Sequence, residues 1–162
     1  MIDFTIETHI ARPVGDVFAY ATDPVKLASW QTTTVSAVQE GDGPLGVGTR
    51  LREVHRGPRG KELASIVEVS EFEPGARFGL RMVEGPLPFH ADIRFAPNGS
   101  GTVVRFRSFG QPTGAMRLLQ PVLRRALRKQ FAEHCENLKR VLEAPASEAA
   151  AVEAPDVEQA VD

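Results

Sequence analysis

Apolar side chains recur in steps of three and four along residues 113–142, and the arginines and lysines of this stretch fall on the other side. Such spacing is typical of an amphipathic helix that lays one face on a core. Pro121 interrupts the pattern, and because proline lacks a backbone donor it should kink the first turns or mark a late start. The apolar positions are Met116, Leu119, Leu123, Ala126, Leu127, Phe131, Leu138 and Val141.

The chain before this helix predicts the surface that the helix lies on. Residues 2–10 alternate between apolar and polar side chains, as a half-buried strand does. Two short helices should follow, one opened by Pro13 and one by Asp23-Pro24, and they should end at Trp30. The period then becomes two, with turns rich in glycine and proline. Six further strands are predicted, at residues 32–39, 49–56, 61–72, 77–84, 89–96 and 102–109.

This order of elements predicts an α+β domain. Strands that follow one another through short turns pair as an antiparallel sheet, because parallel pairs need longer crossovers. We therefore expect a curved, seven-stranded antiparallel sheet wrapped around the long C-terminal helix, with the two short helices between the first and second strands.

Composition narrows the setting of the protein. The 162 residues, of which 42% are hydrophobic, suffice for one domain with a core. No apolar run approaches the roughly 20 residues of a membrane span, and no basic or apolar leader precedes the first strand, so we predict a cytoplasmic protein without stable membrane insertion. The single cysteine, Cys135, has no partner for a disulfide, and we expect a reduced, half-buried thiol.

The net charge of −2 conceals two parts of opposite sign. Residues 143–162 hold six of the 21 acids and no base, so residues 1–142 carry 19 bases against the remaining 15 acids. The end of the chain is rich in alanine, glutamate and proline and buries too little surface to order itself. We predict a domain at 1–143 and a disordered acidic tail at 144–162, which either aids solubility or clamps onto the basic helix face.

Several short stretches carry a family resemblance. They are residues 11–20, Asp23-Pro24, Trp30, residues 46–49, residues 71–74, Gly101-Thr102, Leu138-Lys139 and Leu142-Glu143. With these stretches, residues 2–143 resemble the SRPBCC proteins, the START-like or Bet v 1-like helix-grip superfamily, and within it the polyketide cyclase/dehydrase branch. The resemblance implies a helix-grip fold with a deep apolar cavity between the sheet and the long helix, and it does not specify a reaction.

Alternation on the later strands supports an apolar interior independently. Phe78, Leu80 and Met82 share one strand face, while Arg77 and Arg81 lie opposite, which predicts one apolar and one strongly basic sheet face. These side chains either line a cavity or fill a solid core. The residues predicted to line a ligand cavity are Trp30, Leu51, Leu80, Met82, Phe89, Ile93, Phe106, Leu119, Leu123 and Leu127.

Polar residues that alternation aims at the same interior are the weak catalytic candidates. If Leu51 faces inward, so do Glu53 and His55, and a carboxylate beside an imidazole can orient a polar ligand group or exchange protons. Alternatively, Glu53 pairs with an arginine on a neighbouring strand. His134 and Gln130 lie close to the apolar arc of the long helix; they either dip into the cavity or lie at its rim, and we expect the rim.

Other chemistries find no support in the sequence. It contains no His-Glu-x-x-His run, no phosphate-binding loop and no Gly-x-Ser-x-Gly elbow, so neither a metal nor a cofactor is predicted. The basic helix face lacks interleaved aromatic residues and is predicted to be solvated, which argues against a nucleic-acid partner. We predict that a monomer or homodimer binds a small hydrophobic molecule, lipid- or polyketide-like. The alternative is a polyketide cyclase or dehydratase that uses Glu53 and His55 as acid-base groups.

Overall fold

The alternating pattern produces seven strands in the computed structural model, which describes residues 1–145 of the chain. The strands are β1 (Ile2–Ile10), β2 (Thr34–Glu40), β3 (Arg50–Arg56), β4 (Glu62–Glu73), β5 (Arg77–Glu84), β6 (His90–Asn98) and β7 (Gly101–Gly110). The helices are α1 (Val14–Thr22), α2 (Leu27–Trp30) and α3 (Gln120–Glu143). The predicted α+β class, the strand number and the two short helices between β1 and β2 are confirmed.

The strands form one antiparallel sheet in the order β1-β7-β6-β5-β4-β3-β2. Consecutive strands from β2 to β7 are neighbours, whereas β1 pairs with β7 and so lies at the edge opposite β2. The segment that contains α1 and α2 therefore carries the chain from one edge of the sheet to the other.

Three register shifts interrupt the ladders, one between β2 and β3 and two between β4 and β5. Such bulges bend a strand and increase its twist, which curves the sheet. Gly79 lies opposite one of them, where an added Cβ atom would come within 2.8 Å of the Ser70 hydroxyl oxygen. A side chain at this position would push the two strands apart.

The two short helices close one end of the interior. The Asp23 carboxylate accepts a hydrogen bond of 2.9 Å from the backbone N–H of Val25, and Pro24 follows at the first position of a short 3-10 helix, Pro24–Lys26. The chain then enters α2, whose Leu27 and Trp30 are buried.

Helix α3 begins at Gln120, later than residue 113, so Pro121 marks a late start as one of the two predicted outcomes. A separate 3-10 helix, Gly114–Arg117, precedes it. The buried residues of α3 lie in its second half, at His134, Cys135, Leu138 and Leu142. The Glu143 carboxylate at its end accepts a 2.8 Å hydrogen bond from the backbone of Ala11. Within residues 1–145, no helix has the length and hydrophobicity required to cross a membrane.

Acidic partners neutralise the outer face of the sheet, so the expectation of a strongly basic face is wrong. Nitrogen-to-oxygen distances are 2.7 Å for Arg81 with Glu68 and 2.6 Å for Arg105 with Glu7. Arg107 binds Asp3 at 2.6 Å and lowers the pKa of that carboxyl group. The acids that balance these arginines alternate outward on the neighbouring strands.

An aromatic stack joins α3 to the inner face of the sheet. The Phe131 ring centroid lies 4.8 Å from that of Phe106 and 5.9 Å from that of Phe89, with nearly parallel planes. Phe4 of β1 contributes a third ring at 5.7 Å. The predicted disordered tail falls almost entirely on residues 146–162, which lie outside the described residues.

Phe131→Ala should lower the free energy of unfolding by about 3 kcal/mol, because it removes the ring that contacts three others. Val122→Ala, at an exposed position nine residues earlier on the same helix, should change it by less than about 0.5 kcal/mol. Urea-induced unfolding measures both values. Similar effects of the two substitutions would contradict the assigned position of Phe131.

Candidate functional site

A hydrogen-bonded carboxylate and imidazole lie on the inner face of β3. The strand period places Leu51, Glu53 and His55 on one side, and Glu53 is only 6% exposed. The His55 Nε2 atom is 3.0 Å from Glu53 Oε2. Glu53 therefore pairs with the histidine of its own strand and not with an arginine of a neighbouring strand.

Two further side chains orient the His55 ring. The Thr34 hydroxyl donates to the Gln31 side-chain oxygen at 2.6 Å and is 3.3 Å from His55 Nδ1. The contacts of the imidazole with Thr34 and with Glu53 together fix the orientation of its ring.

His134 of α3 is buried, so the expected position at the cavity rim is wrong. It is 3% exposed, with its ring edge-on to Trp30 at 6.2 Å and to Phe131 at 5.4 Å between centroids. Burial lowers its pKa to about 4, and the nearby charge of His55 adds to this effect. His134 is therefore neutral at pH 7.

Several buried polar atoms around His134 and Glu53 make no hydrogen bond within residues 1–145. They are both ring nitrogens of His134, the indole nitrogen of Trp30 and the hydroxyl of Ser65. Ser65 of β4 is the direct cross-strand neighbour of Glu53, so it lies on the same face. We call Trp30, Glu53, His55, Ser65 and His134 the inner polar cluster.

Gln130 and Asn137 hold α3 beside this cluster. The Gln130 amide donates to the Thr33 hydroxyl at 3.0 Å, and the Asn137 amide donates to the Trp30 carbonyl at 3.2 Å. His134 lies between them on the helix, so both contacts fix its distance from the segment that carries Trp30.

The predicted cavity residues occupy three kinds of position. Leu51, Ile93 and Phe106 are buried with Trp30. Leu119 precedes α3 and is 56% exposed. The half-buried residues lie on the inner face of the sheet or in the first half of α3, and they are Leu80, Met82, Phe89, Leu123 and Leu127. That these residues line a cavity stays a prediction.

An apolar groove lies between the start of α3 and the loop that joins β5 to β6. Its walls include Leu87, Pro88 and Phe89 on one side and Leu127 on the other, and its volume is about 10 Å³. That is the space of roughly one water molecule. A wider, more polar pocket of about 340 Å³ opens beside it, around Met1 and Arg117, and Pro112 borders both.

The described part of the chain supports neither a reactive cysteine nor a metal site. Cys135 is buried, and burial together with Glu136 raises the pKa of its thiol to about 12, so the reactive thiolate is scarce at pH 7. Residues 1–145 contain no group of three or more His, Cys, Asp or Glu side chains that is able to hold a metal ion.

One protein family, described as polyketide cyclase / dehydrase and lipid transport, matches residues 1–143. The chain belongs to this family. No curated protein resembles it closely enough in sequence to count as a match.

Solved structures of the family fold superpose on nearly the whole described chain. The di-domain ARO/CYC protein StfQ from the steffimycin biosynthetic pathway has a TM-score of 0.71 at 19% identity, covering 93% of this chain and 52% of that one. A protein of Thermus thermophilus has a TM-score of 0.66 at 24% identity, with 94% and 99% covered. Ara h 8.0201 has 0.64 at 12%, with 86% and 96% covered. At these identities the likeness establishes the fold alone.

Sequence reasoning did not single out Ser65 of the inner polar cluster. A signal was present, because Ser65, Val67 and Val69 alternate along β4 and the two valines are plainly core residues. The same alternation that selected Glu53 on β3 selects Ser65 on β4.

The buried His134 should make stability depend on pH. The His134 imidazole has its ordinary pKa of 6.5 in the unfolded chain and a pKa of about 4 in the folded protein. Protonation therefore favours the unfolded chain, and stability falls as the pH drops from 6.5 to about 4. Between pH 7 and pH 5 the loss should be about 2 kcal/mol. Urea unfolding of the parent and of His134→Leu at both pH values isolates this contribution. An equal loss in both proteins would show that His134 is not the source.

Proposed function

We propose that this protein binds a small hydrophobic molecule, lipid- or polyketide-like, between the sheet and α3, with the polar end of the molecule at the inner polar cluster. The observation that carries the proposal is the set of buried, unpartnered polar atoms on Trp30, Ser65 and His134. Such atoms are costly to bury, and a bound molecule would satisfy them. Membership of a family described by polyketide and lipid chemistry supports the same function.

The chemistry of the cluster favours an uncharged oxygen function on the ligand. The indole N–H of Trp30 only donates, whereas neutral His134 and the Ser65 hydroxyl each donate and accept. A hydroxyl or enol group meets both requirements. A carboxylate only accepts, so it would leave the acceptor nitrogen of the neutral His134 ring without a donor.

The half-buried apolar side chains supply the rest of the binding surface. Leu80, Met82 and Phe89 on the sheet side and Leu123 and Leu127 on the helix are all half-buried. Micromolar binding corresponds to about 8 kcal/mol, and about 300 Å² of buried apolar ligand surface supplies a comparable gross term at roughly 25 cal/mol per Å².

Entry of a ligand requires the groove to widen. In the present form it holds about 10 Å³, and Leu127 forms one wall. The first turns of α3 are the element best able to move, because the buried residues of this helix all belong to its second half.

Ligand titration tests this function with two tryptophan variants. Leu127→Trp should weaken the binding of 1-naphthol or of an apolar fluorescent dye at least tenfold, because it fills the groove. Leu118→Trp adds the same ring at a position that is 86% exposed and should leave binding unchanged. Absence of micromolar binding to the parent, or equal binding by both variants, would reject the proposal.

A cyclase or dehydratase is the second candidate, and the Glu53 to His55 distance of 3.0 Å is the observation that favours it. A carboxyl group and an imidazole in contact form a proton-transfer pair, which acid-base catalysis of ring closure or water loss requires.

Glu53→Gln separates the two functions. An enzyme that uses this carboxylate should lose about 10²- to 10⁴-fold in rate on a polyketide-like substrate, whereas a binding protein should lose no more than about tenfold in affinity. Glu62→Gln, at an exposed carboxylate on β4, is the matched control. Mass spectrometry of the product measures turnover, and the titration described above measures affinity.

A further inference from the structure

The start of α3 carries a surface that the ligand site does not use. Leu118 is 86% exposed and Val122 is 67% exposed, although both are large apolar side chains. Leu118 lies two residues before α3, Val122 lies in its first turn, and both side chains are on the solvent-exposed face. Arg125 and Lys129 continue this face in steps of three and four, and both are exposed.

This part of the chain is also strongly basic. Residues 111–132 contain Arg117, Arg124, Arg125, Arg128 and Lys129 and no acid, a net charge of +5. Within residues 1–145, Arg117, Arg125 and Arg128 have no acidic partner. The outer face of the sheet differs in this respect, since its arginines are paired with acids.

We propose that the start of α3 and the turn before it, with Leu118 and Val122 surrounded by these bases, dock reversibly onto an anionic membrane surface. Exposed leucine and valine side chains next to unpaired arginines match the boundary between lipid tails and negatively charged headgroups. The contact is peripheral, because two apolar residues reach only the outer part of the bilayer.

The same observations disfavour other partners. Nucleic acid would neutralise the bases but would leave Leu118 and Val122 in water, and the only aromatic residue of this stretch, Phe131, is engaged in the core stack. A second copy of the chain would bring two +5 surfaces together, which like-charge repulsion opposes.

The docking surface lies beside the entrance to the groove. Arg117 lines the wide pocket, Leu127 lines the groove, and Pro112 borders both. A molecule that leaves the groove at this end therefore emerges next to the surface that contacts lipid. This inference concerns the surface of α3 and does not depend on the identity or existence of the interior ligand.

Vesicle cosedimentation of the full chain tests the proposal. We expect binding to phosphatidylcholine vesicles that contain about 30% phosphatidylserine, at least tenfold stronger than to pure phosphatidylcholine and lost at roughly 0.5 M salt. Val122→Ser should weaken binding roughly tenfold, and Arg125→Gln should weaken it roughly fivefold.

Matched controls come from the far side of the domain. Val47→Ser changes a valine that is 69% exposed, against 67% for Val122, in the loop between β2 and β3. Arg140→Gln removes one charge about 22 Å further along α3. Both should bind like the parent.

Three results would overturn the proposal. The first is no binding of the parent to anionic vesicles at low salt. The second is an equal effect of Val122→Ser and Val47→Ser. The third concerns Arg125→Gln. The proposal is wrong if the whole effect of this substitution comes from weaker salt-dependent binding to duplex DNA or from weaker self-association. Circular dichroism of each variant separates loss of binding from loss of fold.

Discussion

The contact of Phe131 with three rings of the sheet is the interaction on which the arrangement of this domain depends. It joins the middle of α3 to β1, β7 and the residue just before β6, and so leaves the two halves of the helix in different surroundings. The second half is pressed into the core with His134, Leu138 and Leu142. The first half has no such contact and stands at the edge of a groove.

This asymmetry places polar and apolar chemistry at opposite ends of one interior. At the inner end, Trp30, Ser65 and His134 hold polar atoms that no neighbour within residues 1–145 satisfies. At the outer end, Leu127 and Phe89 present half-buried apolar walls. The proposal of an elongated ligand with one oxygenated end and one apolar end rests on these two observations.

The sequence was most informative where the local pattern decides the structure. Alternation and the Gly- and Pro-rich turns located all seven strands to within about two residues, because a half-buried antiparallel strand has a strict period of two. For the start of α3, the sequence left two outcomes open, a kink at Pro121 or a late start, and the structure shows the late start. Apolar spacing continues through residues 113–119, but Gly114 adopts a positive φ of 58° and Pro121 favours a helix start.

The interior was harder to predict, because it depends on which elements meet. The helical period places His134 near the margin of the apolar face, and only the packing of Trp30 against it turns that margin into a buried position. The inward direction of Glu53 followed from Leu51 on the same strand. The hydrogen bond between Glu53 and His55 did not follow from the sequence, because the side-chain rotamer decides whether the carboxylate turns to its own strand or to the next.

The pairing of β1 with β7 constrains how the chain assembles. Ile2 lies opposite Gly110, so the first strand finds its partner only after every other strand exists. During synthesis, β2 to β6 are able to pair with their sequence neighbours while β1 waits, attached through α1 and α2. Pairing β1 with β7 closes a long loop, which costs conformational entropy, so we expect β1 and α3 to dock late in folding. Until then, the backbone hydrogen-bonding groups at the edge of β6 are exposed.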